Sequence, residues 1–128
     1  MLCIPKDLLA STWRHLRAEF PREGVGLWAG RLGLVTRVIP LPNVDPKPHQ
    51  GYEADPATLL RTLQGLEAAG LELLAIYHSH PTGPARPSLT DTAKAYWRVP
   101  YVIFALESSE VRAYRLPEEE EVRVEVED

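Results

Sequence analysis

Between Pro5 and Phe20 the apolar residues Leu8, Leu9, Trp13, Leu16 and Phe20 recur at near-helical spacing, with Lys, Arg and Glu filling the intervals. That periodicity predicts an amphipathic first helix, which tolerates Pro5 in its first turn and is closed by Pro21. Val25 to Ala29, bracketed by Gly24 and Gly30, reads as a short buried strand, and Leu32 to Pro40 as a second. The run P-L-P-N-V-D-P-K-P-H-Q-G, Pro40 to Gly51, holds four prolines and no apolar period. It is a long loop, and such loops on rigid scaffolds often carry binding function. Asp55-Pro56 opens a second helix with Asp as N-cap, and Leu59, Leu60, Leu63, Leu66 and Ala69 line one face of it until Gly70. Leu71 to Tyr77 is apolar except for Glu72 and predicts a strand buried on both faces. Ser88 to Trp97 reads as helix, Tyr101 to Leu106 and Val111 to Leu116 as strands, and Val122 to Val126 alternates as a half-exposed edge strand. Helices separating strands predict one α/β domain over residues 1–128, a mixed sheet flanked by helices.

A chain of 128 residues can bury about two thirds of its unfolded surface in one core. With 45% hydrophobic and 25% charged residues it has the balance of a globular protein, and no window approaches the ~18 apolar residues of a membrane span. The start M-L-C-I-P-K-D lacks the basic and apolar regions of an export signal, so a cytoplasmic protein without a membrane partner is expected. A net charge of −4 argues against the basic face that nucleic acid requires. Cys3 is the single cysteine, which excludes an internal disulfide and any C-x-x-C zinc site, and it reads as a small buried hydrophobe. The acidic run Glu118 to Glu121 reads as a solvated hairpin or tail, and His15 as a surface histidine on the polar side of the first helix.

Chemistry concentrates in Y-H-S-H-P-T-G-P-A-R-P-S-L-T-D, Tyr77 to Asp91. On a strand, residues i and i+2 share a face, so His78 and His80 can present both imidazoles together where Pro81 ends the strand. Strand C-termini are where open sheets keep their ligand crevices. A catalytic zinc takes three protein ligands from His and carboxylate and leaves one position open, and Asp91 could be the third. Taken alone, S-L-T-D (Ser88 to Asp91) reads first as a capping box, with Ser88 capping a helix and Asp91 reaching back. The conjunction outweighs either half, since H-x-H-P-x6-S-x2-D arises by composition in about one chain in a hundred thousand of this length.

This constellation resembles the signature of the JAMM (MPN+) metalloproteases, a His-x-His-Pro with Ser and Asp at this spacing and a glutamate upstream. His78, His80, Pro81, Ser88 and Asp91 match without a change of spacing. E-G-V-G-L-W-A-G, Glu23 to Gly30, is similar to the family's E-x-C-G-L-L-x-G, with Val25 for the frequent Cys and Trp28 for a Leu. The resemblance runs from the first helix to about Leu116. It implies the JAMM/MPN, cytidine-deaminase-like architecture, Zn²⁺ on His78, His80 and Asp91, Glu23 as general base, and Ser88 as a donor to the oxyanion. It further implies a zinc-dependent peptidase or isopeptidase, whose partner is a small ubiquitin-like sulfur carrier cleaved just after its C-terminal Gly-Gly. A RadC-like protein shares the local H-N-H-P-S-G…P-S-x-x-D pattern and stays an alternative, as does a non-catalytic MPN interaction module, although such modules characteristically lose the ligands. Zinc deaminases are excluded because there is no cysteine pair. His49 sits in the proline-rich loop, where it could touch substrate. The oligomeric state, a homodimer included, stays open.

Overall fold

In the computed structural model, which describes residues 1–128, a strand β1 (Leu2–Pro5) precedes the first helix, α1 (Lys6–Glu19). The spacing argument puts Pro5 inside the helix, but here it closes the strand and serves as an extended N-cap at φ −60°, ψ 144°. Two alternating buried residues, Leu2 and Ile4, are too short a pattern to announce a strand beside a strong helical period. α1 buries Leu16 and rests Leu8, Leu9 and Trp13 on the core, whereas Phe20, expected on the same stripe, is exposed at the C-cap. Cys3, expected to be buried, is half-buried.

The hairpin of β2 (Val25–Arg31) and β3 (Leu34–Leu41) turns on Leu32 and Gly33, both at positive φ (51° and 78°), the signature of a tight primed turn. The second helix, α2 (Pro56–Ala68), is capped as expected, with Asp55 accepting from Thr58 N at 3.0 Å. It lays Leu59, Leu63 and Leu66 towards the sheet. β4 (Glu72–His80) runs three residues past the predicted Tyr77. Its end stays regular because it pairs in parallel with β5 (Tyr101–Ala105) up to His80↔Ala105. The third helix, α3 (Leu89–Ala93), is only one turn, against the predicted Ser88 to Trp97. It stops because the N–H groups of Tyr96 and Trp97 donate to the Tyr101 hydroxyl at 3.1 and 3.0 Å, which replaces the carbonyls a longer helix would supply.

β6 (Glu110–Arg115) and β7 (Glu120–Val122) form a hairpin that carries the acidic run. The final strand, β8 (Val124–Glu127), is separated from β7 by Arg123 alone, so the single tail strand expected over Val122 to Val126 is in fact two. The eight strands are ordered β7-β6-β5-β4-β2-β3-β1-β8, with antiparallel and parallel pairs mixed. β7 and β8 lie at opposite edges yet are joined by one residue, so the sheet curls until its edges meet. One face packs Trp28, Tyr77 and Phe104 under α1, and the other packs Val25, Leu27, Ile76 and Tyr101 under α2 and the 95–99 segment. No helix is long and apolar enough to cross a membrane.

Candidate metal centre

Val25 pairs with His78 across the β2–β4 ladder, and continuing that register places Glu23 opposite His80. Gly24 extends the pairing: its carbonyl accepts from Ser79 N (3.1 Å) and its N–H donates to Ser79 Oγ (2.9 Å). His78 and His80 lie on one face, as alternation requires, and α3 brings Asp91 beneath them. Ser88 Oγ accepts from Asp91 N (3.0 Å) and Ser88 N donates to Asp91 Oδ2 (2.9 Å), so the capping box forms in full. The two readings of S-L-T-D are therefore compatible, because the cap aims the carboxylate at the histidines.

Asp91 Oδ2 lies 3.2 Å from His78 Nε2 and 3.0 Å from His80 Nε2, and the two Nε2 atoms are 3.3 Å apart. Together with Glu23 these residues place donor atoms within 4.8 Å of one another, all of them buried. His80 Nδ1 lies 2.9 Å from the Pro84 carbonyl, which makes that nitrogen the N–H donor and leaves a lone pair on Nε2 facing the carboxylate. Three donor atoms converging at 3.0 to 3.3 Å need a proton or a metal cation shared among them. Burial pushes up on Asp91, but the His78 and His80 imidazoles hold it well below the usual carboxylate range. Burial lowers His78 despite Asp91, while on His80 the pull of burial is outweighed by Asp91 and the Pro84 carbonyl, which raise it. Glu23 is pushed up to about 7, chiefly by burial, with His80 opposing. Its Oε1 is buried without a hydrogen-bond partner, as is His78 Nδ1.

Every predicted site residue reaches one place. Glu23, His80 and Ser88 line an open cleft of about 510 Å³, and His49 and Gln50 from the proline-rich loop form its rim. Tyr52 was not singled out by the sequence. Its ring stacks on His78 (centroids 4.3 Å apart), and it also lines an apolar cavity of about 390 Å³ together with Val25, Leu27, Ile76 and Trp97. The signal available was a lone aromatic directly after a proline-rich loop. His15 departs from expectation: it is half-buried with Nδ1 2.8 Å from the Tyr77 hydroxyl, and burial lowers its pKa against the pull of Glu19.

Two histidines from a strand end, a carboxylate from a capped turn of helix and a second acid across the ladder give this α/β domain a donor cluster of the kind that could hold a metal ion. The chain belongs to the family described as prokaryotic homologs of the JAB domain, whose model matches residues 5–117. It is 59% identical over 122 residues to a probable TtuB-protein conjugate cleaving protease of Thermus thermophilus, covering 95% of this chain and 80% of that one. It is 34% identical over 102 residues to the desampylase of Haloferax volcanii (75% and 73% covered) and 32% identical over 124 residues to the CysO-cysteine peptidase of Mycobacterium bovis (91% and 83% covered). The solution structure of DSY2949 from Desulfitobacterium hafniense superposes with a TM-score of 0.90 at 28% identity, over 100% of this chain and 94% of that one.

Proposed function

We propose that the protein is a zinc-dependent peptidase or isopeptidase that hydrolyses the bond following the C-terminal Gly-Gly of a small ubiquitin-like sulfur carrier. The observation that carries the chemistry is the donor triangle. Ligands 2.0 to 2.1 Å from a tetrahedral zinc are separated by roughly 3.3 Å, and the edges here are 3.0, 3.2 and 3.3 Å. The set of two imidazoles and one carboxylate, with a position left for water, suits catalytic rather than structural zinc.

His78, His80 and Asp91 would hold the ion, which when bound supplies Lewis acidity towards water and the scissile carbonyl. Glu23 is the proton carrier. Its unpartnered Oε1 takes a proton from the attacking water and returns it to the departing amine. Ser88 Oγ uses a lone pair for the Asp91 N–H, so its own O–H proton stays free to donate to the oxyanion in the cleft. The names of three relatives, a probable TtuB-protein conjugate cleaving protease, a desampylase and a CysO-cysteine peptidase, support a protein-conjugate substrate. The similarity at 59% to a conjugate-cleaving enzyme favours a lysine conjugate over a released amino acid. An open cleft beside the donors leaves room for a substrate tail. Only glycine brings its backbone close to a buried ion without a Cβ meeting the walls, and the apolar cavity lined by Tyr52 can take a side chain further back along the tail.

Purified protein should carry about one zinc per chain, as a single-ion site requires. His78→Ala, His80→Ala or Asp91→Ala should strip the metal and abolish hydrolysis, and metal retained with full activity overturns the assignment. Glu23→Gln should keep the metal while turnover falls by at least ~100-fold, the usual cost of losing a general base. Changing the carrier's last glycine to valine should block cleavage, and equal processing of that variant would refute the carrier assignment while leaving the zinc chemistry standing.

A further inference from the structure

Asn43, the only asparagine in the chain, follows β3 at the start of the proline-rich loop. Its side-chain Nδ2 donates to the backbone carbonyls of Glu23 (2.8 Å) and Gly51 (3.1 Å), and its Oδ1 accepts the backbone N–H groups of Asp45 and Glu53, both at 3.0 Å. An amide offers two donors and two lone pairs, so this one is saturated. Its orientation is fixed as well, since one end faces only carbonyls and the other only N–H groups.

The partner that matters is Glu23. It lies outside β2, ahead of the point where regular ladder pairing begins, and its backbone is instead tied to the loop: its carbonyl by Asn43 and its N–H by the Pro48 carbonyl at 2.6 Å. Its carboxylate Oε1 has no hydrogen-bond partner, so the backbone anchors carry much of the placement of that oxygen. The loop is also fastened opposite. Asp45 accepts from Lys47 N (2.8 Å) and Lys94 Nζ (3.1 Å), and Lys94 caps the C-terminus of α3, which bears Asp91. Asn43 thus stands where the loop, the base and the carboxylate helix are tied into one frame.

We propose that Asn43 is a positioning residue for the hydrolysis. By anchoring the Glu23 carbonyl and closing the 43–53 loop on itself, it sets the Glu23 carboxylate over the His78, His80 and Asp91 donors, and itself touches neither substrate nor metal. The inference rests on the reading of Glu23 as the proton carrier. A base displaced by about 1 Å can cost on the order of 100-fold in rate, so the effect belongs in kcat.

The test uses the zinc-loaded enzyme and a Gly-Gly-ended ubiquitin-like carrier joined to the ε-amine of a lysine peptide, and compares Asn43→Ala and Asn43→Asp with Glu23→Gln. Asn43→Asp keeps the acceptor for Asp45 and Glu53 but loses the donor to Glu23. Both Asn43 variants should bind about one zinc per chain and lose ~10- to 100-fold in kcat, with KM changed less than ~3-fold, as misplacement of a catalytic group does. On a Glu23→Gln background Asn43→Ala should cost less than ~2-fold more, because residues acting as a unit are not additive. Unchanged kcat, a loss confined to KM, or the same fold-loss on the Glu23→Gln background overturns the proposal. If Asn43→Ala does not fold by circular dichroism, Asn43→Asp decides on the same criteria. A Glu23→Gln enzyme as active as the parent would instead overturn the role of Glu23, and that result is read without either Asn43 variant.

Discussion

A carboxylate with a buried, unpartnered oxygen is costly to keep, and Glu23 shows the cost as a pKa near 7 against an ordinary 4.5, set first by burial. In metal-free protein this has a definite sign. Between pH 4.5 and 7 the native state holds a proton that the unfolded chain has released, so stability falls as pH rises through that window and levels off above it. Glu23→Gln keeps the shape and never ionises. In chelator, the variant should therefore melt with the parent at pH 4 and several degrees above it at pH 8, the size expected of ~1–2 kcal/mol in a domain of this length. A thermal melt at the two pH values decides it, and equal melting at pH 8 would mean that the carboxylate is hydrated. Restoring the metal should shrink the difference, because a cation in the cluster relieves the charge of the parent's Glu23. A buried acid with so perturbed a pKa, set within a donor cluster, marks a candidate functional site.

Elements deliver these residues by ordinary packing rules, some legible in sequence and some not. The strand alternation that puts His78 and His80 on one face, the Asp55 cap of α2 and the Ser88–Asp91 box were legible because each is local, depending on residues at most four positions apart. The length of α3 was not, because Tyr101, from the next strand, intercepts the N–H groups of Tyr96 and Trp97. His15 likewise looked like surface until Tyr77 reached it across the core. That reach has a requirement. A Cβ at Gly26, which pairs with Tyr77 across the ladder, would collide with the Tyr77 ring and its hydroxyl. Gly26→Ala should therefore expel the ring, break the bond to His15 and cost about 1–3 kcal/mol, as overpacking of a core does. Calorimetry would show this as a drop in melting temperature, and a neutral Gly26→Ala would mean that the ring has room the packing denies it. His78 is the next residue on the same strand, so metal affinity should weaken along with stability.

At the scale of the whole molecule, the least legible feature is closure. No local pattern shows that β7 and β8, one residue apart, pair at opposite ends of an eight-stranded sheet, since that depends on β1 lying open for β8. The junction is stitched by Leu2 N donating to the Arg123 carbonyl at 2.9 Å, and Val122 shares a core with Leu2 and Ile4. The outer strands carry Glu120, Glu121, Glu125 and Glu127, whose like charges discourage edge-to-edge pairing between copies. A chain ending at Arg123 would lose β8, bare the backbone edge of β1 along Leu2–Pro5 and remove half-buried Val124 from the core margin. The loss of a four-residue ladder and one half-buried valine should amount to about 2–4 kcal/mol, a drop of several degrees in melting temperature. The uncovered β1 itself carries no charged residue, so the shortened chain should also self-associate as its concentration rises, visible in sedimentation velocity. β1 lies three strands from β4 in the sheet, so the shortened chain, kept below its melting point, should match the full chain in metal content and turnover. Full stability and sedimentation unchanged from the full chain would mean that β8 neither stabilises the fold nor shields the edge of β1.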